Sequence, residues 1–269
     1  MNAFIEERLL EKIKKRLKLI LPDFIFNTIL KIFRKFKLGL KLIVPQLILN
    51  KVYLIRYRII CEYTNFKYRN CSDKELAELY NQRYHQVYIN NPDEIELKKW
   101  QAIAIKRAIP EINKALIAGC SGGELVRALR NIGIETYGFD ISPDLDKIVI
   151  DEVRSYIRKG SILDIPFSVD DGFDAFIAID VFEHVPINRV DKMIKEIVKI
   201  NAKYMVTIIN YSEYGHVGHI TMKPLSWWKN KFKKYYKIDE SIDFSREGIP
   251  VLYSLDNNRD HQLIFWRRT

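Results

Sequence analysis

Apolar residues recur along this chain in two rhythms. From about residue 72 onward, runs of strand length alternate with stretches in which apolar residues return every three or four positions. KALIAG, ETYGFD, FDAFIAID and YMVTIIN are continuous enough for strands covered on both faces, whereas GELVRALRNIG, DKIVIDEVRSYI and NRVDKMIKEIVKI carry helical spacing. Strict alternation of strand and helix predicts an α/β fold, with a parallel sheet between two helical layers. Ahead of the first strand, Ser72 followed by Glu75 has the spacing of a capping box, and a second helix is predicted from about Pro92 to Ala108, before Pro110. At the far end HQLIFWRRT reads as a last strand with Phe265 and Trp266 in the core.

Residues 1–71 show the helical rhythm alone. Ile5, Leu9, Ile13, Leu17 and Ile20 recur with lysines between them, and Phe26, Ile29, Leu30, Phe33 and Phe36 repeat the pattern, with Pro22 and Pro45 as punctuation. The expected organisation is therefore a basic amphipathic helical extension over 1–71 and an α/β domain over 72–269. Charge sharpens that division. The chain of 269 residues has a net charge of +10, and residues 1–60 hold 14 Lys and Arg against 4 Asp and Glu, so the remainder is balanced. No uncharged stretch approaches the ~20 apolar residues needed to cross a bilayer, and Glu6, Glu7 and Arg8 do not fit the start of a signal peptide. A basic face opposite Phe and Leu suits an anionic membrane surface, or the apolar stripes dock on the second part; RNA phosphate is a third attractor. The three cysteines, Cys61, Cys71 and Cys120, have neither paired nor zinc-ligand spacing, which points to a reducing, cytoplasmic compartment.

The candidate chemistry starts where the first strand ends. In ALIAGCSGGELV the glycines lie at the carboxyl end of a buried strand, where an open parallel sheet binds its ligand. Glycines there let backbone approach a ligand, and the following helix aims its amide groups at polar atoms. A dinucleotide loop needs GxGxxG and fails, because Ser121 and Glu124 stand at the second and third glycine places; a P-loop lysine is also missing. Asp140, at the tip of the next strand in YGFDIS, is placed to accept both hydroxyls of a ribose.

LIAGCSGGELV, GFDIS, GSILDIPF and FDAFIAIDVFEHVP, in this order and spacing, resemble the successive motifs of class I S-adenosylmethionine-dependent methyltransferases, in the type 11-like branch with an EHVP motif. The resemblance covers roughly residues 110 to 210. It implies a Rossmann-like, doubly wound, seven-stranded sheet, mostly parallel with an antiparallel last strand at the edge, and S-adenosyl-L-methionine as cofactor. It also implies that Gly119, Cys120, Ser121, Gly122 and Gly123 pass under the methionine part, that Asp140 binds the ribose, and that Ile141 lies beside the adenine. Ser161 and Ile162 fall at the adenine edge, where the family usually has an aspartate and where Asp164 is the substitute at hand. Asp180 lines the reaction centre. The chain departs from the pattern at Ile117, where an acid is common two places before the first glycine, and at Ser121, where the family has glycine.

Methyl transfer to a hydroxyl also requires a base. The sequence has five histidines, of which His184 follows the fourth strand, either lining the site or holding its loop, with Glu183 as a hydrogen-bonding partner. NYSEYGHVGHITMKPLSWW is similar to a THxxxxPxxWW segment of some relatives, with His219, Pro224, Trp227 and Trp228 at matching places. That likeness makes His219 the first choice for general base and His216 the second. No metal is expected, since the HxxH pair lacks a third ligand, and the two tryptophans read as core before substrate platform. Tyr84, His85 and Tyr88 are lid candidates. The expected function is a cytoplasmic methyltransferase, acting on oxygen of a small-molecule, glycan or lipid-linked acceptor, peripheral on the inner membrane face through residues 1–60. The alternatives are a non-catalytic scaffold of the same fold, motivated by Ile117 and Ser121, or ribose or tRNA methylation with the basic segment as handle. Nucleic acid is the less favoured partner. Nucleobase N-methylation calls for Asp or Asn, two prolines and an aromatic after the fourth strand, where this chain has IDVFEH.

Overall fold

The computed structural model describes residues 66–81, 85, 91–210, 219–242 and 263–269. The basic segment to residue 65, Cys61, Tyr84, Tyr88 and His216 lie outside the described residues. Those described form one seven-stranded sheet: β1 (Lys114–Ala118), β2 (Glu135–Asp140), β3 (Ile157–Lys159), β4 (Ala175–Ile179), β5 (Tyr204–Ile208), β6 (Tyr236–Ile238) and β7 (Ile264–Arg268), in the order β3-β2-β1-β4-β5-β7-β6. The first five strands pair in parallel, and β7 runs antiparallel to both β5 and β6. The last strand thus lies one place in from the edge expected of it, with β6 as the edge strand. The α-helices with defined bounds among the described residues are α1 (Asp73–Glu78), α2 (Pro92–Ala108), α3 (Glu124–Asn131), α4 (Leu145–Ile148), α5 (Val190–Ile200) and α6 (Leu225–Phe232). Among the described residues no helix is long and apolar enough to cross a membrane.

Successive strand residues face opposite sides, so the continuous apolar runs build two cores. Ala115, Ile117, Ala175, Ile177, Tyr204, Val206 and Phe265 pack with α2 and α3, through Ile105, Leu125, Val126 and Leu129. Leu116, Ala118, Phe176, Ala178, Met205 and Trp266 pack on the other face with α5 and α6, through Met193, Ile194, Ile197, Trp228 and Phe232. Each fully buried Leu, Ile or Phe contributes about 1.5–3 kcal/mol, which identifies the strand spacing as the source of the layered fold. Trp228, Phe265 and Trp266 are core residues, and Trp266 Nε1 donates to Thr207 Oγ1 at 2.9 Å.

Local signals set the ends of the elements. Ser72 caps α1, with its hydroxyl accepting from the Glu75 amide and the Glu75 carboxylate accepting from the Ser72 amide. Asn91 caps α2 ahead of Pro92 in the first turn, and α5 closes on Asn201 at φ 62°. One expectation is corrected. DKIVIDEVRSYI does not form a helix: α4 stops at Ile148, Val149 is extended, and a 3-10 turn over Asp151–Tyr156 leads into β3. The β-branched run Ile148, Val149 and Ile150 weakens α-helix here, while Val149 in its extended conformation and Val153 in the 3-10 turn are both buried.

Strand order reverses between β1 and β4, and beyond the carboxyl ends of the strands at such a point is where an open parallel sheet has its ligand crevice. Three loops meet there, those following β1, β4 and β5.

Candidate active site

The loop after β1 is built for close approach. Gly119 has φ 65°, and a Cβ there would lie 2.6 Å from Val181 Cγ2, so the loops after β1 and β4 touch through hydrogen alone. The Cys120 amide donates to the Phe139 carbonyl at 3.1 Å, and its thiol is buried against Gly138, which raises its pKa well above 9.0 through burial and, secondarily, the Asp140 charge. Cys120 therefore offers backbone to the loop, and its side chain serves the core. Gly123, at φ 94°, starts α3 without a side-chain cap. Glu124 follows it, mostly buried beside Gly122, and burial raises its carboxyl pKa. Ile117, where an acid was looked for, is a core residue of β1.

Asp140 ends β2 and is almost fully buried. Oδ2 accepts from the Ser121 amide and Oδ1 from the Ser142 amide, each at 2.8 Å, so the carboxylate is fixed at the strand tip and ties the glycine loop to β2. The Gly160 amide donates to the Asp140 carbonyl at 2.9 Å, which brings Ser161 and Ile162 alongside. Ser161 Oγ accepts from the Leu163 amide, and the Ser161–Asp164 bridge closes this turn; Ile162 is buried while Asp164 is exposed. Ile141 is half-buried against α1, in a cluster with Leu76, Tyr80 and Ile220. Arg189 holds the same segment by donating to Cys71 O and Asp73, and Asn188 donates to Arg69 O, so α1 covers the carboxyl end of the sheet.

Ser121 takes φ 48°, the left-handed region that glycine enters without cost. Its hydroxyl lies 2.7 Å from Nδ1 of His85, and Nε2 of the same ring lies 3.1 Å from the Tyr80 carbonyl. A carbonyl only accepts, so Nε2 carries the proton and Nδ1 accepts from the Ser121 hydroxyl. Burial holds the His85 pKa below its ordinary 6.5, against the opposing pull of Asp140, and so favours this neutral ring. The sequence offered His85 only as a lid candidate. Its partner is the serine that departs from the family's glycine.

The third part is the turn after β4. Asp180 sits at the strand end with φ 53°, and Phe182–His184 form one 3-10 turn. Glu183 is fully buried; its Oε1 accepts from the Asn210 amide at 3.0 Å, and burial together with neighbouring Asp180 pushes its pKa well above 4.5. The amides of Ile220 and Thr221 both donate to the Glu183 carbonyl at 2.7 Å, and Thr221 Oγ1 donates to the Val185 carbonyl. These bonds stitch the segment after β5 onto this turn and carry His219 against His184, with ring centroids 4.7 Å apart at 85°. Tyr80 packs edge-on against His184, its hydroxyl 2.9 Å from Nδ1. His184 and His219 are both buried and share one cluster with Glu183, a meeting that local sequence spacing did not announce.

Residues 116–203 match the family model of the methyltransferase domain. The chain therefore carries a methyltransferase domain, and S-adenosylmethionine is its cofactor. The methyltransferase shares its fold with the magnesium protoporphyrin IX methyltransferase of Synechocystis PCC 6803, solved with bound S-adenosylmethionine, at 14% identity over 74% of this chain and 99% of that one, TM-score 0.52. A protein of Pyrococcus horikoshii OT3 (17% identity, 70% and 99% coverage, TM-score 0.47) and an S-adenosylmethionine-dependent methyltransferase of Archaeoglobus fulgidus (19%, 65% and 94%, 0.47) are also similar. Among curated proteins none matches the chain in sequence. The methyltransferase has the features its cofactor needs: a loop that any Cβ at Gly119 would fill, and a buried carboxylate at the tip of β2. Bound S-adenosylmethionine supplies an electrophilic methyl group on a sulfonium. With the cofactor in place, Asp140 would be the group to hold the ribose and the glycine backbone would pass beneath the methionine, leaving the protein to align an acceptor.

Proposed function

We propose that this methyltransferase acts on an oxygen of a small-molecule, glycan or lipid-linked acceptor. The observation that carries this reading is the meeting of His184 and His219, buried together beyond the carboxyl ends of β4 and β5. A hydroxyl acceptor must lose its proton as the new bond to carbon forms, and imidazole is the side chain suited to that near neutral pH. The acceptor's proton leaves at this cluster, with His219 as the first residue to test, and Asp180 lines the same side of the site. Residues 1–60 hold the enzyme against an anionic membrane from the cytoplasmic side, which supports a lipid-linked acceptor; their charge pattern is the argument.

A ribose hydroxyl of RNA is the second reading, favoured by the same basic segment. The experiment that separates them uses S-adenosylmethionine with a 13C-labelled methyl group and a cell extract, partitioned into lipid, glycan, small-molecule and nucleic-acid fractions. The carbon chemical shift of the product reports whether oxygen, nitrogen or carbon was methylated. An O-methyl signal in the lipid, glycan or small-molecule fraction is expected. An N- or C-methyl product would end the oxygen reading, and an O-methyl signal confined to nucleic acid would transfer it to RNA.

A further inference from the structure

We propose that Glu183, His184 and His219 form a binding site for a divalent first-row transition-metal cation. One donor atom from each lies within 4.8 Å of the others, and all three residues are buried. Ligand bonds of roughly 2.0–2.2 Å put neighbouring donors ~3 Å apart and opposed donors ~4 Å apart, so a pair at the 4.8 Å limit would have to close by up to about 1.8 Å, within reach of side-chain torsions.

Glu183 supplies the independent pointer to a ligand. Its Oε1 is taken by the Asn210 amide, whereas Oε2 is buried and has no hydrogen-bond partner among the described residues. Native proteins seldom leave such an atom unmatched, and a bound cation would satisfy it. The cluster is also held in place from outside. Ile220 and Thr221 fix His219 through the Glu183 carbonyl, and the Tyr80 hydroxyl meets Nδ1 of His184, the kind of outer contact that orients a ligating ring.

Two imidazoles and a carboxylate favour manganese, iron, cobalt or zinc over magnesium or calcium, which prefer all-oxygen sites. Three protein ligands leave coordination positions open. A ligated His219 has no lone pair left for a proton, so on the O-methyl reading proposed above the cation, at an open position, would acidify the acceptor hydroxyl in place of the histidine base; the binding of the cation does not depend on that reading. The histidine spacing in the sequence pointed elsewhere, to His216 with His219, because the partners of His219 come from a turn 35 residues earlier.

The test titrates the full chain, without cofactor or acceptor, with Mn2+ followed by electron paramagnetic resonance and with Co2+ followed by visible absorption. One cation per chain is expected. His184→Ala and His219→Ala lower the affinity at least ~100-fold and Tyr80→Phe about tenfold, while Glu135→Gln, exposed at the opposite end of β2, binds as wild type. No saturable binding of Mn2+, Co2+ or Zn2+, or undiminished affinity in His219→Ala, would overturn the site. Should a histidine variant not fold, nitrogen couplings in the electron spin-echo spectrum of the Mn2+-loaded wild type decide: imidazole nitrogens support the site, and oxygen donors alone overturn it. Methyl transfer by metal-free enzyme, undiminished by chelator, would remove the link to the acceptor and leave the O-methyl reading standing.

Discussion

Replacing Asp140 by alanine separates the two roles of that carboxylate. Its oxygens accept from the Ser121 and Ser142 amides, and Ser142 is fully buried, so the variant strands two backbone donors. An unsatisfied buried donor costs about 1–3 kcal/mol, which predicts a stability loss of about 2–6 kcal/mol, the upper end requiring both amides to stay dry. On the cofactor side, a carboxylate that takes two ribose hydroxyls contributes about 1.5–3 kcal/mol per hydrogen bond. At 1.4 kcal/mol per decade, the affinity for S-adenosylmethionine then falls roughly 10²- to 10⁴-fold. Asp140→Asn keeps the size and one acceptor oxygen and is expected to fall between. Isothermal titration calorimetry gives the affinities and thermal unfolding gives the stabilities. A folded Asp140→Ala that binds the cofactor within threefold of wild type would refute the assignment of the ribose to Asp140.

Gly119→Ala combines a left-handed φ with a Cβ pressed on Val181 and is expected to lose about 2–4 kcal/mol in denaturant unfolding; adding Val181→Ala recovers the steric part and leaves the backbone part. His85 predicts a pH dependence. The unfolded chain takes up a proton near pH 6.5 and the folded chain only at lower pH, so the unfolded state binds more protons in between, and the contribution present above 6.5 is lost as pH falls through that interval. His85→Ala is expected to flatten the stability profile there, and a profile parallel to that of wild type would remove His85 from the account. It also loses two hydrogen bonds, worth about 1–3 kcal/mol together, and loosens cofactor binding through Ser121. For the basic segment, flotation with anionic liposomes is expected to recover the full chain and not a fragment starting near Ser72, with recovery falling as salt rises; equal recovery of both would dismiss the membrane reading.

What the sequence made legible was local. Ala115–Ala118 declared a strand by continuous burial, Gly119–Gly123 a turn by residue type, and Asp140 a carboxylate at a strand tip. Each depends on neighbours a few residues away. The helix expected from DKIVIDEVRSYI failed because its spacing also suits an extended step followed by a 3-10 turn, and burial of Val149 and Val153 decided between them. The inward position of β7 rests on pairing with β5 and β6, which no local pattern encodes. The same holds for the site's polar contacts: His85 meets Ser121 across 36 residues of chain, and His184 meets His219 because two amides dock on the Glu183 carbonyl. Ser121 looked like a blemish in a glycine loop until its partner was visible.

The central claim is that the crevice between β1 and β4 holds S-adenosylmethionine and delivers its methyl group. Transfer of tritiated methyl into a cell extract, by wild type and by Asp140→Asn of matched folded fraction, tests it most directly. Label incorporated by wild type and reduced at least tenfold in the variant is the predicted result. No incorporation by folded wild type, or equal incorporation by both proteins, would contradict it.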